Sequence, residues 1–62
     1  MPISEKAAAE MLEIMERHLK HNPQEITPEA NRFTALCRVI ADGGGVSDEA
    51  SEFMHDYIYE MS

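Results

Sequence analysis

The stretch SDEASEFMHDYIYEM, Ser47 to Met61, decides the fold. Ala50, Phe53, Met54, Tyr57, Ile58 and Met61 recur at intervals of three and four, the spacing that gathers side chains on one face of an α-helix. Ser47 stands where a hydroxyl accepts a hydrogen bond from an unpaired N–H of the first turn. Asp48 and Glu49 follow with negative charge at the positive end of the helix dipole. A helix over 48–61 is the consequence, and no part of the chain sustains the period-two alternation of a strand.

Working back, ITPEANRF from Ile26 repeats the outline of VSDEASEF from Val46, and ISEKA from Ile3 has a similar shape. Thr27 and Ser4 occupy the capping place of Ser47, Glu29 and Glu5 supply the acidic first turn, and Pro28 sits where its missing N–H costs nothing. The shared outline therefore reads as the punctuation that starts three helices, not as a duplicated binding motif. In the first helix, expected over 5–21, Ala8, Met11, Leu12, Met15 and Leu19 form a stripe that Ala7 and Ile14 widen. Asn22-Pro23 ends it, because proline disfavours helical geometry in the residue before it. The second helix is expected over 28–42 with Ala30, Phe33, Leu36, Cys37 and Ile40 on its stripe, closed by Gly43, Gly44 and Gly45. The expected fold class is all-α: a small three-helix domain spanning residues 1–62, with short connections that set neighbouring helices antiparallel or crossing.

A chain of 62 residues hides only about 60% of the surface it exposes when unfolded. Disulfides, a metal or a second subunit usually supply the missing stability. Its one cysteine, Cys37, excludes an internal disulfide and points to a reducing compartment. The opening MPISEK lacks the basic start and apolar run of a secretory signal, and nothing approaches the roughly 20 apolar residues of a membrane span. A soluble intracellular protein without a membrane partner is expected. The apolar arc of the first helix, from Ile14 round to Leu12, covers about 160 degrees. Val39 and Tyr59 lie outside their own stripes. One small core rarely hides three arcs of that width, so a homodimer is expected, with Met11, Ile14, Met15, His18, Val39, Phe53 and Tyr57 at its interface.

Twelve acidic residues against five Lys and Arg give a formal charge of -7, which repels nucleic acid and anionic lipid. Read as a helix-turn-helix, the last two helices would bring Asp48, Glu49 and Glu52 to the DNA first, so direct nucleic-acid binding is not expected. The glycine run precedes a helix start but lacks the lysine of a phosphate loop, and Asp48 and Glu49 would repel the anion. His18, His21, His55 and Cys37 are metal-ligand types without the two paired clusters of a zinc site, so no metal or other cofactor is expected. Cys37 on an apolar stripe reads as a small core residue, and no Ser, His and acid spacing marks a triad. No enzyme is expected. His18, inside the first helix's apolar arc, is either a pH-sensitive interface group or a hydrogen-bonded residue at a core edge. Glu49, Glu52, Asp56 and Glu60 form an acidic ridge on the third helix, opposite its apolar side. With Tyr59, the ridge is the candidate surface for a basic protein partner.

In size, acidity and overall texture, and above all in its closing SDEASEFMHDYIYEMS, the chain resembles the small helical proteins encoded in the early exo-xis region of lambdoid bacteriophages. The resemblance implies an accessory regulator that biases a temperate phage between lytic growth and lysogeny. It also implies a helical dimer, a place in the bacterial host cytoplasm, a host or phage protein as partner, and no catalytic or ligand residues. A DNA-mimicking inhibitor of a nucleic-acid-binding protein is the alternative that the acidic ridge suggests.

Overall fold

The computed structural model describes residues 2–61. Three helices account for most of them: α1 over Glu5–His21, α2 over Pro28–Ala41 and α3 over Asp48–Met61, with a single 3-10 turn at Pro23–Glu25 between the first two. No strand occurs among the described residues, and the domain measures 29 × 19 × 19 Å. The all-α expectation is met.

All three helices start by the same device. The N–H of Ala7 donates to Ser4 Oγ, that of Ala30 to Thr27 Oγ1 and that of Ala50 to Ser47 Oγ, each at 3.1 Å. In each case the hydroxyl satisfies the third helical N–H, which has no intrahelical acceptor. The repeated outline in the sequence is thus the chemistry of helix initiation, and the alanine it carries is the residue whose N–H is capped.

The end of α2 falls one residue earlier than the glycine run alone suggests. Asp42 has left helical geometry, Gly43 adopts a left-handed φ of 87°, and two hydrogen bonds close the turn: Gly43 N–H to Ile40 O and Gly44 N–H to Val39 O, both 2.9 Å. This is the Schellman arrangement, which uses up carbonyls that the helix end leaves unpaired. Gly44 is held for a second reason. A Cβ there would lie 2.8 Å from Val39 Cγ1 and 3.0 Å from the Val39 carbonyl oxygen.

The core is assembled from Ala8 and Met15 of α1, Ala30, Phe33, Cys37 and Ile40 of α2, and Met54 of α3. Phe33, Met54 and Cys37 are the largest side chains wholly removed from solvent. Tyr57 stacks on Phe33 with ring centroids 4.6 Å apart, and Arg38 reaches Glu16 across the α1–α2 seam at 3.6 Å. α2 packs closely along α1 and more sparingly against α3, while α1 and α3 share at most slight backbone contact. A groove opens between them.

Candidate interaction surface

The groove encloses about 600 Å³ and is lined by Met11, Ile14, Met15, His18 and Leu19 from α1 and by Tyr57, Ile58, Glu60 and Met61 from α3, with Glu25 at one end. Its walls follow directly from the two helical stripes: residues spaced for burial on α1 and α3 face each other across a gap that neither helix closes. Met15 is buried in its floor, whereas Ile14 is 59% exposed and Met61 51% exposed. These exposed groups are gathered in one concave place and are not scattered singly over the surface.

Five of the seven residues expected at a subunit interface, Met11, Ile14, Met15, His18 and Tyr57, line this groove together. Phe53 and Val39 do not. Phe53 lies beyond Tyr57, at 6.1 Å between ring centroids, and Val39 is half-exposed on α2 against the Gly44 turn.

His18 occupies the groove's edge and is hydrogen-bonded there. Its Nε2 lies 3.1 Å from Glu25 Oε2, and the Asn22 amide donates to the His18 carbonyl at 2.9 Å while approaching Nδ1 at 3.5 Å. The ring is thereby held against the 3-10 turn.

The acidic ridge divides in two. Asp56 and Glu60 turn toward the aromatic side of α3 and, with Glu29 and Thr27, wall a second recess of about 400 Å³ floored by Phe53 and Tyr57. Glu49 and Glu52 are exposed and line neither recess, and Tyr59 is 83% exposed on the outside. Glu29 is the site residue that sequence reading assigned only to helix initiation. For Glu60 a signal existed, since at 100 degrees per residue it falls only about 20 degrees from Phe53 on the wheel of α3. The α2 contribution depended on packing.

Negative potential is concentrated here. Burial, together with the charges of Glu25 and Glu29, pushes the ionisation of the Tyr57 phenol above its ordinary range. Arg17 meets Glu13 at 3.4 Å and Arg38 meets Glu16, whereas the guanidinium of Arg32 lies 4.4 Å over the ring of Phe53, a residue that lines this recess.

The remaining sequence candidates fall apart in space. Cys37 is buried in the core, and desolvation pushes its thiol up to about 11, so at neutral pH it is a protonated, inert packing group. Among the described residues, no three His, Cys, Asp or Glu side chains converge as a metal-binding group. No helix is long and apolar enough to cross a membrane.

Fold and surface together define a small all-α domain with an apolar groove and an acidic, aromatic-floored recess beside it. In comparison with known proteins, no family model matches the chain, and no curated protein and no solved structure matches it either.

Proposed function

We propose that this chain is a noncatalytic helical protein-interaction module that works as a homodimer. The single observation carrying this reading is the groove between α1 and α3, lined mainly by apolar side chains and open where a compact bundle would be closed. Its occupant is a second copy. Each chain supplies both a groove and, in Ile14 and Met61, protruding apolar side chains with no place of their own to bury. A surface holding both halves of a contact suits an isologous twofold interface. Burial of each such side chain is worth about 1.5 to 3 kcal/mol, enough to matter to a domain of this size.

Mixing isotope-labelled with unlabelled protein tests the pairing. Magnetisation transfer from Ile14 and Met61 to groove residues of the other copy is expected, and a well-folded sample showing none would overturn it.

On its resemblance to the early-region proteins of lambdoid phages, the module's setting is the cytoplasm of a bacterial host. There it acts as an accessory regulator of the choice between lysis and lysogeny through a host or phage protein. Expressing the chain in cells infected by a temperate lambdoid phage should shift the frequency of lysogens, and a folded Ile14→Glu variant should not. An unaltered frequency with the parent chain would remove this setting.

A further inference from the structure

The recess beside the groove has a composition that selects its occupant. Phe53 and Tyr57 line it together with Thr27, with Glu29 from α2 and with Asp56 and Glu60 from α3. Among the described residues none of these three carboxylates has a Lys, Arg or His within salt-bridge distance. The aromatic floor already holds a cation on one side, since Arg32 lies over Phe53 at 4.4 Å. That contact shows the ring electrostatically suited to a positive group. The recess itself has no base in its lining.

We propose that this recess receives a lysine or arginine side chain from a basic segment of a partner protein, the aliphatic stem lying on Phe53 and Tyr57 and the charged head among Glu29, Asp56 and Glu60. Long basic side chains match such a place because their methylenes cover apolar surface while the head stays with the carboxylates. Charge complementarity favours this occupant over a second copy, whose charge of -7 would bring acid against acid here. Tyr57 and Glu60 line both the recess and the groove, so the basic segment lies alongside the dimer contact and not in its place. Burial is the largest cause of the depressed acidity of Tyr57, and the charges of Glu25 and Glu29 add to it.

This proposal rests on the reading of the chain as an interaction module, and its test separates the two. End-capped tripeptides Ala-Arg-Ala and Ala-Lys-Ala, with Ala-citrulline-Ala as the uncharged control, are titrated into the intact protein while the ring resonances of Phe53 and Tyr57 are followed. Saturable shifts are expected with the two basic peptides and none with citrulline, weakening about fivefold for each of Asp56→Asn and Glu60→Gln. About 0.5 M salt should weaken them further. Glu49→Gln and Glu52→Gln should leave them unchanged. Shifts that fail to saturate, that citrulline reproduces, or that weaken equally with Glu49→Gln would overturn the proposal. Peptide binding by a protein that proves monomeric would overturn the dimer alone, and a dimer blind to the basic peptides would overturn the recess alone.

Discussion

At the scale of single residues, Cys37 and Tyr57 give the molecule its alkaline limit. The Cys37 thiol moves from 9.0 in the open chain to about 11 in the fold, through loss of solvation for the thiolate. A raised value means that the folded chain keeps a proton which the unfolded chain has released, so stability is full below pH 9 and declines as pH rises toward 11. The loss amounts to on the order of 2 to 3 kcal/mol. Tyr57 is shifted in the same direction and extends the decline above pH 10. Urea midpoints measured from pH 8 to 11 should fall in this manner, and Cys37→Ala should remove the lower part of the slope. A Cys37→Ala variant retaining the entire slope would refute the assignment. Thiol alkylation at pH 8 gives an independent reading, because Cys37 should react only as fast as the domain opens.

Single helices show what the sequence could disclose. Local chemistry fixes their ends. Ser4, Thr27 and Ser47 were readable as caps because a cap requires only a hydroxyl, an extended backbone and three following residues. Replacing Thr27 or Ser47 by alanine should cost about 0.5 to 2 kcal/mol, seen as a lower unfolding midpoint with unchanged helix content at low temperature. The close of α2 was legible to within one residue, since glycine forecasts a left-handed position without saying which glycine takes it. Gly43 takes the positive φ, and Gly44 is needed for its lack of a Cβ. Gly44→Ala should therefore destabilise by about 1 kcal/mol or more, whereas Gly45→Ala, with nothing within 4 Å of the added carbon, should be nearly neutral. Equal effects at the two positions would contradict this account of the turn.

At the scale of the whole molecule, stripe width carried information that stripe position did not. The breadth of the α1 arc foretold that some of it would stay uncovered, and Ile14 at its margin is exposed. Which residues share the opening depends on how α2 spaces the other two helices, a matter of crossing geometry that no local pattern encodes. Hence Met15, expected at an interface, is buried in the groove floor, Val39 lies elsewhere, and Glu29 joins Asp56 and Glu60 across an interhelical gap. Ile14→Glu tests the groove at this scale. An exposed position on a helix tolerates glutamate without loss of propensity, so the monomer should keep its fold while association weakens at least about tenfold, or roughly 1.4 kcal/mol. Sedimentation velocity would read that change, and an unaltered dimer would place the contact on another face.

The central claim is that a second copy covers the α1–α3 groove and so contributes to the stability of the fold. Urea unfolding of the parent chain over a hundredfold range of concentration tests it most directly, because only an associating species has a midpoint that depends on dilution. The account predicts a midpoint that climbs with concentration for the parent chain and stays flat for Ile14→Glu. A parent midpoint that does not move over the same range would contradict it.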